Sequence, residues 1–264
     1  MAISLKSLRG AHVFVAAVVF GCASPTYLSA QNDRLTPIQH RIHLQQQRLS
    51  SSIAEERRDA LMKLGAMKHP EASRAALAGL NDAEPVVRIT AVHALAALPA
   101  SDASSALIPL LADKQEVVRR EAAHALGTTR NRSAAQPLIG LLTTDKIPEV
   151  RAAAALALGK IQDEAAVVPL VNILSGTGAG KKSTNEFLMR AVAQALGQIR
   201  SRAAVAELVA TLSNEETPID VRRASAEALG AIGDPAASVA LKAVVESPDP
   251  YLSQTARAAL RRLH

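Results

Sequence analysis

Apolar residues along this chain recur three and four positions apart, the spacing that places them on one face of a helix. Between Pro85 and Leu111 they fall on two successive helical faces: Ala91, Ala94, Leu95 and Leu98, then Ala103, Leu107, Leu110 and Leu111. Pro99 and Ser101 mark a turn between the two helices. No segment shows the alternating, β-branched pattern of strands. The pattern therefore predicts an all-α fold built from pairs of antiparallel helices.

The helix pairs repeat with a regular period. An arginine is followed eight residues later by a glycine or alanine that closes a Leu-Gly or Leu-Ala pair. The motif occurs as Arg57…Leu64-Gly65, Arg88…Leu95-Ala96, Arg119…Leu126-Gly127, Arg151…Leu158-Gly159 and Arg222…Leu229-Gly230. Successive arginines from Arg57 to Arg151 lie 31, 31 and 32 residues apart. A period of this size predicts a stack of repeated units rather than a globule with one central core.

Helix-start signals give the domain boundaries. Thr36 followed by Pro37 is typical of the beginning of a helix, with threonine as the N-cap and proline in the first turn. We assign residues 31–52 to a linker and an N-terminal capping helix, residues 53–247 to six helix pairs, and residues 248–264 to a C-terminal capping helix.

The pattern D-x-x-P-x-V-R-x-x-A-x-x-A-L-G resembles the HEAT repeat, in particular the short HEAT-like repeats of phycobilisome lyase subunits and of many bacterial proteins. The resemblance covers roughly residues 53–264. It implies a right-handed α-solenoid of about six HEAT-like helix pairs between terminal capping helices. Because this repeat type serves many unrelated tasks, the resemblance specifies the fold and leaves the function open.

Acidic residues stand six positions before four motif arginines: Asp82, Asp113, Asp145 and Glu216 precede Arg88, Arg119, Arg151 and Arg222. One interpretation is that each carboxylate caps the N-terminus of its helix. The resemblance to HEAT repeats implies a second, in which a carboxylate and an arginine of neighbouring repeats form hydrogen bonds along the stack. Under both interpretations these residues form a structural ladder and are not ligand contacts.

The fifth repeat departs from the motif. Met189 stands at the position of the arginine, and Arg190 is displaced by one position onto another helical face. An insertion at residues 175–185, which contains Lys181 and Lys182, precedes this helix. Insertions in repeat proteins fall in loops and often border a binding surface, so we predict partner contacts at Lys181, Lys182 and Arg190. The alternative is a flexible loop without a binding role.

The first thirty residues predict export. Lys6 and Arg9 give a basic start, residues 11–21 form an apolar run too short to span a membrane, and Ala30 is a small residue suited to cleavage. We therefore assign residues 1–30 to a signal peptide and place the mature chain in the periplasm or outside the cell.

The single cysteine offers an alternative to soluble export. Gly21-Cys22 resembles the end of a bacterial lipoprotein box, in which the cysteine is lipidated and anchors the mature chain to the envelope. Cleavage after Ala30 would instead leave a mature chain with no cysteine, and therefore no disulfide. In neither case does the mature chain contain a predicted transmembrane span.

Charge and composition narrow the possible partners. The formal net charge is +6, and removal of Lys6 and Arg9 leaves 28 basic against 24 acidic residues, or about +4. The turn that contains Arg130 and Arg132 is followed in the next repeat by Asp163, so no continuous phosphate-binding track is formed. Aromatic residues make up 2% of the chain, which leaves no platform for stacked bases or sugars. Charge pattern and composition therefore argue against nucleic acid and glycan partners, and we expect neither.

No motif with catalytic or cofactor chemistry occurs. H-E-x-x-H and G-x-S-x-G are absent, and the Gly-Lys segment of the insertion has the wrong spacing for a phosphate loop. His93 and His124 occupy equivalent positions in adjacent repeats, but two imidazoles without a nearby carboxylate make a poor metal site. The sequence thus predicts no catalytic residue, no cofactor and no bound metal.

We therefore expect a monomeric, non-catalytic scaffold in the cell envelope. It would bind a protein or peptide along a concave face formed by the second helix of each pair. Two alternatives stay open. One is a subunit or accessory factor of an enzyme, with the chromophore-attaching or metal-dependent role that the lyase resemblance implies. The other is a lipid-anchored envelope assembly factor.

Overall fold

The computed structural model describes residues 35–176 and 185–263. Within these ranges the chain forms fourteen α-helices and no strand. The helices are α1 (Pro37–Arg48), α2 (Ala54–Ala66), α3 (Pro70–Ala76), α4 (Pro85–Ala94), α5 (Ala100–Leu107), α6 (Glu116–Thr129), α7 (Ala135–Thr144), α8 (Pro148–Ile161), α9 (Val167–Ser175), α10 (Glu186–Ile199), α11 (Val205–Ser213), α12 (Ile219–Ile232), α13 (Ser238–Ala243) and α14 (Pro250–Leu260). None of these helices is both long and apolar enough to cross a bilayer.

Two rows of helices build the part of the chain from Arg41 onward, which forms one compact unit. The A row contains the first helix of each pair and the last helix of the chain: α2, α4, α6, α8, α10, α12 and α14. The B row contains the second helix of each pair: α3, α5, α7, α9, α11 and α13. Each A helix packs against the next A helix and against the B helices beside it. The predicted all-α solenoid of helix pairs is confirmed.

Leucine and alanine fill the core. The largest fully buried side chains are all leucines: Leu61, Leu64, Leu95, Leu107, Leu126, Leu138, Leu142, Leu158, Leu170, Leu188, Leu196 and Leu208. Buried alanines fill the space between them, mostly on the A helices. Small and unbranched side chains let short helices lie close together, which explains how a chain with 2% aromatic residues buries a continuous core.

Close backbone contacts between successive A helices explain the motif glycine. A Cβ atom on Gly127 would lie 2.8 Å from Cα of Ala157, and one on Gly159 would lie 2.8 Å from Cα of Ala195. The same contact pairs the other motif glycines with an alanine of the next A helix: Gly65 with Ala94, Gly197 with Ala228 and Gly230 with Ala259. A side chain cannot enter such a gap unless one helix moves, so glycine sets the distance between repeats.

Most A helices end at a residue in the left-handed conformation, three positions after the motif glycine. φ is positive at this position in five repeats: Lys68 (49°), Arg130 (53°), Gln162 (58°), Arg200 (61°) and Gly233 (76°). A positive φ stops the helical hydrogen-bond pattern and turns the chain toward the B helix. In four repeats the next residue then accepts an N–H hydrogen bond that caps a short 3₁₀ turn: Asn131, Asp163, Ser201 and Asp234.

We predict opposite stability effects for two glycine-to-alanine substitutions. Gly127→Ala should lower the free energy of unfolding by about 1–3 kcal/mol, because the new methyl group pushes α6 and α8 apart. Gly140 lies in α7 with no atom within 4 Å of a Cβ, so Gly140→Ala should raise it by about 0.5–1 kcal/mol through helix propensity. Urea denaturation followed by circular dichroism measures both, and a stabilised Gly127→Ala variant would contradict the proposed spacing role.

Candidate functional site

A row of arginine–aspartate pairs runs along the N-terminal ends of the A helices. Arg88 donates from Nε to Oδ2 of Asp113 and from Nη2 to Oδ1, both at 2.8 Å. The two side chains are 6% and 9% exposed, so the pair is largely removed from water. Asp113 Oδ1 also accepts the backbone N–H of Gln115 at 2.8 Å. One carboxylate therefore both caps the turn before α6 and binds the arginine of the preceding repeat.

Two neighbouring pairs have the same geometry. Arg57 binds Asp82 through Nε and Nη2 at 2.6 and 2.7 Å, and Arg119 binds Asp145 at 2.6 and 3.1 Å. Each arginine also donates from Nη1 to a backbone carbonyl of its own repeat, as Arg88 does to Asp82 at 2.8 Å. Asp82 is thus held by one arginine through its carboxylate and by the next through its carbonyl. The contacts form a continuous ladder from α2 to the start of α8.

The ladder lowers the pKa of its carboxyl groups. At Asp82 the hydrogen bond from Arg57 is the main reason that the pKa lies below its ordinary value. At Asp113 and Asp145, burial acts to raise the pKa, but the hydrogen bonds from arginine and from backbone N–H groups outweigh it, and the pKa is again lowered. These groups therefore stay ionised at neutral pH and keep the ladder intact.

Beyond Asp145 the ladder stops. Arg151, predicted to be a ladder residue, donates from Nε to the carbonyl of Leu142 at 2.8 Å instead of to a carboxylate. Met189, at the next motif position, is buried, and Arg190 lies with Cζ 5.5 Å from the ring centroid of Phe187 on its own helix. Within the described residues no ion pair joins α8 to α10. This junction rests on apolar and glycine–alanine contacts and on hydrogen bonds from Gln162 Nε2 to the carbonyl of Gln198 at 2.7 Å and from Ser201 Oγ to Glu164.

The C-terminal pair is shifted by one residue from the predicted position. Arg222 donates from Nε to a backbone carbonyl of α11 at 2.9 Å, and the carboxylate of Glu216 has no ion pair in the part of the chain that the structure describes. Arg223 binds Asp249 instead, with Nε 2.9 Å from Oδ1, and lies 5.1 Å from the ring centroid of Tyr251. Asp249 also caps α14. It therefore both caps a helix and binds an arginine of the preceding repeat, as the ladder aspartates do, but its arginine stands one position later than predicted.

The second repeat keeps its ladder pair but lacks the motif glycine and the left-handed residue that follows it in the other repeats. Ala96 stands at the position of the motif glycine, and Pro99 stands where the other repeats have a left-handed residue. The proline ring holds φ near −65°, and the observed φ of Pro99 is −53°, so a positive φ is unavailable. The predicted helix face extends to Leu98, but α4 ends at Ala94 after 10 residues, whereas α6, α8, α10 and α12 have 14 each. A cleft is left between the end of α4 and α6.

The early end of α4 is stabilised from the preceding repeat. In a continuing helix the N–H of Leu98 would bind the carbonyl of Ala94, but it binds the carbonyl of Leu95 at 2.9 Å. The buried Ser73 of α3 donates its hydroxyl to the carbonyl of Ala94 at 2.6 Å. Because the freed carbonyl has a partner, the short helix is an integral part of the packing.

The cleft between α4 and α6 has a volume of about 570 Å³, within the range of small-molecule sites. Its apolar lining is buried and consists mainly of Val92, Leu95, Leu98, Ala103 and Leu107. Its polar lining is at least partly exposed and consists of His93, Glu121, His124, Thr128 and Thr129. His93 Nε2 lies 3.2 Å from Oε2 of Glu121.

A second candidate surface is formed by the B helices of the last four repeats. α7 and α9 contain no charged residue, α11 contains only Glu207 and α13 contains only Lys242. Val168 on α9 and Val239 on α13 are 66% and 81% exposed. Burial raises the pKa of the Glu207 carboxyl, as expected among apolar neighbours. We call the exposed sides of α7, α9, α11 and α13 the B face.

The remaining predicted site residues are distributed as follows. Lys181, Lys182 and Cys22 lie outside the described residues. His93 and His124 both line the cleft, together with a carboxylate, Glu121, that the sequence reasoning missed. In residues 35–176 and 185–263, no group of three or more His, Cys, Asp or Glu side chains is arranged to hold a metal ion.

The signal for the cleft was present in the sequence. Ala96 replaces the motif glycine, and Pro99 occupies the position at which the other repeats turn the chain. Both departures fall in one repeat, and they are as visible as the loss of the arginine at Met189.

Family models for HEAT repeats match residues 43–123, 104–180 and 181–261. The chain belongs to the HEAT-repeat family. No curated protein matches it in sequence. Among solved structures, this HEAT protein is similar to the complex of CpcE and CpcF of phycocyanin lyase from Nostoc sp. PCC7120, with 24% identity, a TM-score of 0.51, and 88% of this chain and 96% of that chain covered.

Two further structures have the same fold. An engineered protein is 22% identical, with a TM-score of 0.55 over 84% of this chain and 67% of that chain. YibA of Escherichia coli is 17% identical, with a TM-score of 0.51 over 97% of this chain and 100% of that chain. At these identities the structures establish the fold, and an argument about function has to start from the surfaces of this HEAT protein itself.

We predict that Asp113→Asn lowers the free energy of unfolding of the HEAT protein by about 2–3 kcal/mol, because the buried Arg88 guanidinium loses its charged partner. Asparagine keeps an oxygen for the N–H of Gln115, so the turn itself is preserved. Asp102→Asn removes an exposed carboxylate from α5 and serves as control, with an expected change below about 0.5 kcal/mol.

The same carboxylates determine how stability depends on pH. Folding lowers the pKa of Asp82, Asp113 and Asp145, so their contribution is complete above the unfolded pKa of about 3.9 and is lost as the pH falls through the folded values. The wild-type free energy of unfolding should therefore fall steeply below about pH 4, and less steeply in the triple asparagine variant. Urea denaturation at a series of pH values measures both slopes, and identical slopes would contradict the ladder's role.

Proposed function

We propose that this HEAT protein is a non-catalytic scaffold that binds another protein, or an extended peptide of one, along the B face. The supporting observation is the near absence of charge on α7, α9, α11 and α13, combined with the exposure of Val168 and Val239. The buried centre of a protein interface is depleted of charged residues, and exposed apolar surface is typical of interaction sites.

The A helices provide the contrast. Helices that only face water carry charged residues on the exposed side. α6 follows this rule with the exposed Glu116 and Arg120, and α12 follows it with the exposed Glu227. The low charge of the B face is therefore not a general property of the chain.

The packing of the A row supports binding by a preformed surface. Glycine–alanine contacts and the arginine–aspartate ladder hold successive A helices, and each B helix packs on the A helices beside it. A surface that is already ordered loses little conformational freedom when a partner binds. The scaffold would act as a monomer, which leaves the B face free for a different protein.

We predict that Val168→Asp and Val239→Asp each weaken partner binding by at least about tenfold, because a carboxylate must be desolvated in the interface. Val86→Asp is the matched control, since Val86 is 45% exposed on α4 and lies outside the B face. The partner is first identified by cross-linking and mass spectrometry from envelope extracts, and its affinity for each variant is then measured by calorimetry. Circular dichroism checks that each variant folds. Equal loss in Val86→Asp, or full binding by both B-face variants, would exclude the B face.

We further propose that the protein is exported. The basic residues Lys6 and Arg9, the apolar run at residues 11–21 and the small residue Ala30 support this. The native protein should begin at Gln31 and appear in the soluble periplasmic or extracellular fraction, which intact-mass spectrometry checks. Two results would instead support a lipid anchor in the envelope. They are a lipid-modified N-terminus at Cys22 and partitioning into detergent that Cys22→Ala abolishes. An unprocessed chain beginning at Met1 would contradict export.

A further inference from the structure

We propose that the cleft between α4 and α6 binds a small aliphatic amine, a ligand with an apolar chain and a protonated amino group at one end. This site lies on the A row and is independent of the protein-binding role of the B face.

The cleft lies at the junction that lacks a motif glycine; a smaller cleft of about 390 Å³ between α10 and α12 has a lining that includes Gln162, Gln194 and Arg200. At the other five junctions a motif glycine lies against an alanine of the next A helix. At this junction Ala96 replaces the glycine, Pro99 ends α4 early, and Ser73 satisfies the carbonyl that the early end frees. Three residues from two repeats thus contribute to a cavity of about 570 Å³ at a junction without the glycine–alanine contact of the other five.

The buried part of the cleft suits an alkyl chain. Leu95, Leu98 and Leu107 line it together with smaller apolar residues, and each of the three is at most 9% exposed. An alkyl group that enters this space exchanges water for leucine contacts, which is favourable in proportion to the apolar area covered.

The polar part of the cleft favours a cation. Glu121 is the single charged residue in the lining, which contains no lysine or arginine. Arg120 reaches Glu121 with Nη2 3.5 Å from Oε1, but it is not part of the lining, and exposed pairs of this kind are weak. An anionic ligand would meet the carboxylate of Glu121 and no lysine or arginine in the lining, whereas an ammonium group pairs with that carboxylate.

The neighbouring hydroxyl groups are also oriented as acceptors. Thr128 donates to the carbonyl of Ala125 at 2.6 Å, and Thr129 donates to the carbonyl of Leu126 at 2.7 Å. Thr129 already accepts the N–H of Asn131 at 3.3 Å and lies 3.0 Å from Ser104 Oγ, so Thr128 is the hydroxyl that offers its lone pairs to a ligand. His93 lies 3.2 Å from Glu121 and borders the same edge. An ammonium group has three N–H donors and no acceptor, so it matches a lining that offers mostly acceptors.

The test compares three probes of equal chain length on the full chain: n-hexylamine, n-hexanoate and 1-hexanol. Titrations are followed by two-dimensional NMR at neutral pH. We expect saturable shifts from hexylamine at residues around the cleft, such as Ala96 and Ala125, and affinities at least about fivefold weaker for the other two probes. Hexanoate that binds as tightly as hexylamine would overturn the proposal, as would hexylamine shifts spread over the surface without saturation.

Three variants locate the interaction. Glu121→Gln keeps the shape of the cleft and should weaken hexylamine about fivefold while leaving hexanol unchanged. Glu149→Gln removes an exposed carboxylate from α8 outside the cleft and should change neither. Ala125→Leu fills the cleft and should abolish binding of both hexylamine and hexanol. If this variant does not fold, the comparison of Glu121→Gln with Glu149→Gln still tests whether the Glu121 carboxylate binds the amine. Equal hexylamine affinity in wild type and Glu121→Gln overturns the proposal. So does binding of a lysine-containing peptide in the cleft without binding of hexylamine, which would point to a protein ligand.

Discussion

The contact between the backbones of successive A helices is the constraint on which this structure depends. A glycine on one helix and an alanine on the next let the two backbones approach until a single added methyl group would meet a Cα atom. Near the opposite end of the same helices, an arginine of one repeat binds an aspartate of the next. Where both attachment points are present, they fix both the separation and the rotation of neighbouring repeats.

The six junctions use these attachments in different combinations, and each has at least one. Those after α2, α6 and α12 have both an ion pair and a glycine–alanine contact. The junction after α4 has no motif glycine and keeps Arg88–Asp113, whose two side chains are both under 10% exposed. Those after α8 and α10 have no ladder pair in the described residues and keep Gly159 against Ala195 and Gly197 against Ala228. Loss of one attachment is therefore tolerated where the other remains, and the cleft occupies the place of the missing one.

This arrangement separates the residues that hold the array from those available for binding. The attachment points lie on the A row and use its paired arginines, its motif glycines and the alanines that face them. The exposed sides of α7, α9, α11 and α13 take no part in them, so their low charge needs an explanation other than packing between A helices. The B face and the cleft arise in different ways. The B face consists of side chains that take no part in the junctions between A helices. The cleft lies at a junction where the motif glycine is replaced.

The sequence alone determined the all-α fold, the period and the residue types at each junction, because these follow from local spacing that recurs in every repeat. It did not determine which partners meet. Arg222 and Arg223 are both candidates for the last ladder position, and the turn before α14 decides for Arg223 by placing Asp249 beside it. Glu121 is 28 residues from His93 and becomes its neighbour only when α6 packs beside α4. Ala96 and Pro99 are visible in the sequence, but a cavity is a property of the space between two helices. That space is set by contacts along the whole junction, which only the tertiary structure contains.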